Sequence, residues 1–430
     1  MSLPKEIDYE SRPLSLPAGT NLTSIVAAPT NGSSFTDGAV IYLDLVNRGY
    51  LVPQSIYLRY KLAVACNATA GPVLRGIAGY SAINRSEILI GSSVVESIQQ
   101  YNQVSNMVVQ TKLNFAQKAG LAAGLGLIDQ TTTPTFDNLD GYTLAASSTT
   151  TIPCAVPLGN MLSAAQTLVP LGKMPACRIQ LTLDTASNIV SVGGGTSLTV
   201  SNVELVYDVV DFGPEVDAAV DMMADENGEI VIKSQGYINS AQALTSNFSG
   251  MNELVYGVRL ASIKSLFACF CGTTAAHSPS SWAGSRDITS NAGDYQFSIS
   301  GRPFPERPIS TALNKAGALM ELCNAWGPSH DLLTSNTSIS SKQFYAYTGS
   351  NGASAADSAS SPSKFFIATN CEKLSSSGVL LSGVSSQNTP ITLRINTSVA
   401  TTQGFNVNVI ALYDALIKVN PRTRQASVMI

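Results

Sequence analysis

Charge is the scarcest property of this sequence. Lys, Arg, Asp and Glu make up 13% of its 430 residues, where soluble domains typically carry about 25%. A free monomer ordinarily keeps itself soluble with such residues, so their scarcity implies a surface largely covered by neighbours. Basic clusters are missing as well. The net charge is -4, the tail holds Arg422 and Arg424, and the opening MSLPKEIDYE is balanced. Neutralising phosphates takes a Lys/Arg cluster, so direct, sequence-specific nucleic-acid binding is not expected. Histidine is confined to His277 and His330, near no carboxylate–cysteine cluster, and a metal centre needs several converging ligands. No apolar run approaches the ~18 residues that cross a bilayer, and no signal peptide opens the chain. Seven cysteines occur, an odd number without a C-x-x-C pair. Buried thiols in a reducing compartment are expected rather than disulfides.

Enzymatic signatures are equally sparse. Gly120, Gly124 and Gly126 are followed by no Lys-Ser/Thr, so they make no phosphate cradle. No G-x-S-x-G nucleophile elbow occurs. Paired carboxylates need only meet in space, which leaves a β-sandwich glycosidase open without a positive sign for it. No catalytic, cofactor-binding or metal residue is nominated, and a non-enzyme is expected.

What the chain does have is a repeat. Residues 202–210 read NVELVYDVV and residues 408–416 read NVIALYDAL. Upstream of each lies a matching strand pattern, IQLTLDT at 179–185 and ITLRINT at 391–397. Apolar Ile179, Leu181 and Leu183 alternate with polar residues, as do Ile391, Leu393 and Ile395, the period-2 mark of a half-buried strand. A third echo pairs SIYLRY at 55–60 with SLFACF at 265–270. All three fall roughly 210 residues apart, which predicts two copies of one β-rich domain. Tyr207-Asp208 and Tyr413-Asp414 should then share a packing role, a Tyr at a corner with its Asp bonded to a loop backbone.

Within the copies, residues 39–45, 56–64, 87–90, 254–271 and 295–300 read as strands. Ser93 and Glu96 have capping-box spacing, and Val94, Ile98, Tyr101 and Val108 recur at helical intervals, which predicts a helix from Ser93. In the second copy the Pro-studded GRPFPERP (301–308) reads as a link, and Ser310 as the N-cap of a helix to Trp326 packing Leu313, Ala316 and Met320. Residues 211–229 read as the boundary. Pro214 can open a helix with Val216, Ala219, Val220 and Met223 as its apolar stripe, and Asn227-Gly228 turns into a strand from Ile230. On that helix Asp217, Asp221 and Asp225 share one face, expected to be solvated. Residues 1–38 read as an extended arm. Residues 119–157 and 327–364 read as excursions of a length that is functional or partner-covered.

The stretches YLDLVNRGYLVPQSIYLRYKL (42–62), NVELVYDVVDFGPE (202–215) and NVIALYDALIKVNPRTRQASV (408–428) resemble the first strand pair and the closing strands of double jelly-roll major capsid proteins of DNA viruses, of the virophage and polinton-like type. The resemblance implies an all-β chain of two consecutive jelly-roll β-sandwiches, with a short helix in each and a helical linker. The expected partition is 1–212 for the first roll with its arm, 213–229 for the linker and 230–430 for the second roll with its tail. It further implies a homotrimer with pseudo-hexagonal outline that tiles an icosahedral shell, contacts penton and minor capsid proteins, and resides in the virion after synthesis in the host cytoplasm. The excursions would form an outer tower, and the arm and residues 426–430 would dock on adjacent subunits. The alternative is a jelly-roll carbohydrate- or receptor-binding protein, spike- or lectin-like, for which Trp282 and Trp326 are the two tryptophans available. Deleting residues 1–17 is expected to impair capsomer or lattice contacts more than folding, checked by melting and particle yield of the truncated protein.

Overall fold

The computed structural model describes residues 19–67, 72–74, 76–128, 133, 142–190, 195–245, 248–272, 293–311, 315–327, 337–339, 344, 364–372, 380–397 and 404–430, with backbone alone for 223–227. The first half supplies β1 (Asn21–Ala27), β2 (Val40–Asp44), β3 (Tyr57–Cys66), β4 (Ile83–Ile90), β5 (Ser93–Ile98), β6 (Thr149–Pro157), β7 (Cys177–Leu183) and β8 (Gly195–Asp211). The second half supplies β9 (Ile230–Leu244), β10 (Gly250–Tyr256), β11 (Ile263–Gly272), β12 (Asp294–Ile299), β13 (Arg302–Ser310), β14 (Ile367–Asn370), β15 (Ile391–Thr397) and β16 (Phe405–Asn420). Their pairing repeats strand for strand. One sheet runs β1-β8-β3-β6 and faces another running β2-β7-β4-β5; after the midpoint the orders are β9-β16-β11-β14 and β10-β15-β12-β13. Two facing four-strand paths in this order are a jelly roll, and the chain holds two in succession.

The three echoes fall on equivalent strands. In both copies the strand of the first echo pairs with the strand of the third, Leu205 opposite Leu58 in one and Ala411 opposite Leu266 in the other. The counterpart of Leu58 is Ala268, so the second register is offset by two residues. A slip of two keeps every side chain on its face. Strands β7 and β15 show the same strict alternation of buried and half-buried residues. A single contiguous core runs through both rolls.

One strand misreads in both copies. Residues 93–98 form β5 rather than a helix start, paired with β4 from Ser86–Ile98 to Ile90–Ser93. The helix α1 begins later, at Tyr101, and runs to Lys112 after Gln100 in a left-handed conformation. The counterpart of β5, β13, takes in the Pro-rich stretch and ends at Ser310. Prolines survive there because β13 is the last strand of its sheet and pairs with β12 alone, leaving one side free of ladder bonds. Phe115–Leu121 is α2 and Pro214–Asn227 is α3, with Pro214 in its first turn. The helix α4 spans Ala316–Ala325; Lys315, not Ser310, is the N-cap. Its inward residues are Ala318, Leu322, Cys323 and Ala325, while Met320 is 51% exposed. Leu313 lies outside the described residues.

The first excursion also ends in a strand. β6 pairs with β3 and turns Ile152, Cys154 and Val156 inward; the Thr run beside them had masked the alternation. Residues 21–36 of the arm belong to the first sheet through β1 and a short Ser34–Thr36 ladder on β8. The tail Gln425–Met429, β17, pairs with β16 of its own sheet. Residues 1–18, His277, Trp282, His330, Gly193, Gly194 and most of 327–364 lie outside the described residues. All seven cysteines are buried and none is in a disulfide.

The Tyr-Asp echoes divide the expected work. Tyr207 accepts a hydrogen bond from the Val46 amide at 2.9 Å, while Asp208 joins its neighbours through backbone atoms, its amide donating to Ser55 Oγ. Asp414 is fully buried and accepts from the Ser382 amide, Ser382 Oγ and Ser262 Oγ at 2.8–3.0 Å. Asp414→Ala should therefore cost about 3 kcal/mol and Asp208→Ala no more than about 0.5 kcal/mol, read from denaturant melts of the two variants.

Candidate functional site at the junction of the two rolls

The most elaborate polar arrangement lies where the rolls meet, and α1 carries it. Beside Val104 and Met107 this helix buries Asn102, Ser105, Asn106, Gln110 and Thr111. A helix buried all round is enclosed, and here the first roll lies on one side and the second on the other. Asn408 of β16 donates to Gln103 Oε1 at 3.1 Å and to Gln100 Oε1, just before α1, at 2.9 Å. It also accepts from Asn239 Nδ2 at 3.1 Å. At the far end of α1 the Thr111 carbonyl accepts from the Ser338 amide at 2.8 Å, and the Lys112 ammonium sits 4.6 Å from the centre of the Trp326 ring. A cation over an indole face is attracted by the ring quadrupole.

The loop after β6 completes the seam. Ser234 Oγ donates to the Met161 carbonyl, and the Gln166 amide donates to the Lys233 carbonyl at 2.9 Å. Between them sits Glu96 of β5, 3% exposed. Its Oε2 accepts from the Met161 amide at 2.8 Å, and the Tyr237 amide also faces the carboxyl. Gly236 is there because nothing larger fits: a Cβ would come within 2.5 Å of the Tyr413 hydroxyl and 2.8 Å of Glu96 Oε1. Burial in this dry seam penalises the charged form and raises the Glu96 pKa to about 8, against the pull of the two amides. Burial likewise raises Tyr101 to about 12, lifts Tyr237 and lifts Tyr413; Glu96 nearby adds to all three.

A second contact tethers the linker. Tyr50 donates to Asp217 at 2.7 Å, and Lys173 reaches both oxygens of Asp221 at 2.8 and 2.9 Å. The carboxylates read as a solvated face therefore dock α3 onto the first roll; the Asp225 side chain lies outside the described residues. Val216 and Val220 line a cleft of about 320 Å³ with Tyr50, Leu168, Pro170 and Phe212. Among the described residues no group of three or more His, Cys, Asp or Glu side chains could hold a metal ion. By local pattern Glu96 reads as a helix cap, Tyr413 as a packing group and Trp326 as one of two tryptophans, while Gly236 in a strand carries no sign of the seam.

Solved structures from viruses align along nearly the full length. The Faustovirus major capsid protein superposes with a TM-score of 0.63 at 9% identity, covering 95% of this chain and 92% of that one. The mavirus major capsid protein gives 0.55 at 10% identity, covering 100% and 95%. A chain of the Sputnik virophage structure gives 0.55 at 12% identity, covering 100% and 92%. At such identities the likeness is one of fold, and that fold is the double jelly roll. No protein-family model and no curated protein matches the sequence.

Glu96 makes the seam sensitive to pH. The folded chain keeps the Glu96 proton up to about 8, whereas the ordinary value is 4.5, so the folded state binds the extra proton between these limits. Stability is then full below the lower value, falls as pH rises through the window, and levels off above it. Glu96→Gln keeps the neutral shape and should flatten this decline, gaining on the order of a few kcal/mol over wild type at alkaline pH. Thermal melts from pH ~5 to ~9 check it; equal slopes in both proteins would remove Glu96 from the seam's energetics.

Proposed function

We propose that this protein is the major capsid protein of an icosahedral DNA virus, a structural protein rather than an enzyme. The observation that carries the reading is the pair of rolls with identical strand order, welded along a buried seam, over a length that matches viral major capsid proteins end to end. Residues 1–212 would be the first roll with its arm, 213–229 the connecting helix and 230–430 the second roll with its tail. Three chains of two rolls make a six-lobed capsomer with three-fold symmetry, a shape that tiles a shell. Neighbouring capsomers, penton and minor capsid proteins would be its partners, and the virion its location after synthesis in the host cytoplasm.

Topology supports an outer tower. The end of β3 and the start of β6 are paired neighbours, Ala65 opposite Thr149, so Asn67 after β3 and residues 142–148 before β6 lie at the same end of the first roll. β11 and β14 are paired likewise, Ala268 opposite Ile367, so the start of β14 lies at the matching end of the second roll. Sparse charge fits a surface mostly covered by copies, since obligate interfaces tend to bury ~2,000 Å² or more. The buried thiols fit assembly in a reducing cytoplasm. Trp326 lies against Phe267, ring centres 4.4 Å apart, and under Lys112, a packed position unlike the exposed platform a lectin offers its sugar.

Electron microscopy of the purified protein tests the proposal. Trimers or lattices of hexagonal outline are expected, and a chain that stays monomeric at high concentration would defeat it.

A further inference from the structure

The two rolls meet without sharing a sheet. Among the described residues each four-strand path stays within one half of the chain. What crosses the seam is a set of single hydrogen bonds: Asn408 to Gln100 and Gln103, Ser234 to Met161, the Gln166 amide to the Lys233 carbonyl and the Ser338 amide to the Thr111 carbonyl. The chain passes from one roll to the other through α3. Tyr50 and Lys173 hold that helix on the first roll, and Gly228, with a φ of +77°, then turns the chain toward β9.

Glu96 stands at this boundary. The edge strand β5 brings it from the first roll, and the edge strand β9 meets it from the second with the Tyr237 amide. One carboxyl oxygen is served by the Met161 amide. The other, Oε1, is buried with no hydrogen-bond partner among the described residues. It presses on Gly236 together with the Tyr413 hydroxyl of β16, close enough that a Cβ there would meet both. The titratable groups facing the carboxyl are Tyr101 from α1, Tyr237 from β9 and Tyr413 from β16, while the loop of Met161 adds its amide. A carboxylate here leaves one oxygen bare in a dry interface, whereas the acid form turns that oxygen into a donor.

We propose that Glu96 is a proton-operated latch between the rolls: the acid proton on Oε1 is donated to the Tyr413 hydroxyl and closes the seam, and its loss lets the rolls part as intact bodies about Gly228. Parting is the smaller disruption. It breaks a few single bonds and admits water to Oε1, while unfolding would break the sheets themselves. The closed form keeps its proton up to about 8 and the open form releases it near the ordinary 4.5. Opening therefore rises between these values and levels off above the upper one, so the seam is tightest in acid. The latch lies within a single chain and operates whether or not copies assemble.

Hydrogen exchange of the full-length protein, read by mass spectrometry from pH ~5 to ~8, tests the latch. The Tyr237, Gln166 and Ser338 amides, which bond across the seam, should exchange about tenfold or more faster than those of β7 and β15, with little dependence on dilute urea, the sign of a local opening. Corrected for intrinsic exchange chemistry, their protection should fall about tenfold per pH unit over this range. Glu96→Gln keeps the neutral shape and should abolish that fall. Tyr413→Phe should lower protection at pH ~5 by about fivefold. Infrared spectra at neutral pH should show a buried carboxylic-acid carbonyl band that Glu96→Gln lacks. Seam amides that exchange together with β7 and β15 at the same urea dependence would overturn the latch, and this wild-type comparison decides even where the Gln variant folds poorly. Absence of the acid band, an unchanged slope in Glu96→Gln, or full protection in Tyr413→Phe would overturn it as well.

Discussion

The arrangement hangs on β16 being wrapped on both faces. A strand covered on one side can be built from alternating residues, and β8 is such a strand. Its counterpart lies between its own core and the helix α1 of the other roll, so nearly every side chain must tolerate dry surroundings. The cost of that enclosure falls on the few polar groups within it. Asn408 is satisfied by two glutamines and an asparagine, and one carboxylate oxygen of Asp414 by two serines. Glu96 meets the same demand by holding its proton. The hydrogen bonds of Asn408 to Gln100 and Gln103, and of Ser234 to Met161, join the two rolls at defined positions.

Duplication explains why the two halves share a plan, and the seam explains why they diverge. Equivalent positions serve different ends once one roll is roofed and the other is not. Tyr207 ties a corner within its own roll, while Tyr413 stands against Gly236 and Glu96 at the boundary. The linker helix is similarly committed. Its carboxylates find Tyr50 and Lys173 on the first roll, so the crossing segment is held at its start instead of swinging between domains.

Much of the fold was legible in the residues. Alternation marked β7 and β15, and the repeat placed their neighbours, because a one-sided strand must write its burial in period two. Pro214 and Asn227-Gly228 bounded α3 through local backbone chemistry. The near-continuous apolar run of β16 also carried, unread, the sign of burial on both faces. The edge strands β5, β6 and β13 were not legible. Ser93 and Glu96 imitate a capping box, Thr149 to Thr151 blur the alternation of β6, and three prolines in β13 look like a link. An edge strand needs hydrogen bonds on one side only, so it tolerates residues that local rules assign elsewhere.

By itself the sequence determined a β-rich chain in two equivalent copies, poor in charge and joined by a short helix, since propensity and periodicity act between near neighbours. Only the tertiary structure decided that Glu96 is a buried neutral acid, that Gly236 makes room for it, and that one sheet face is roofed while its twin is bare. Those properties belong to contacts between residues from 65 to more than 300 positions apart, and no local pattern encodes which distant surface will come to lie against them.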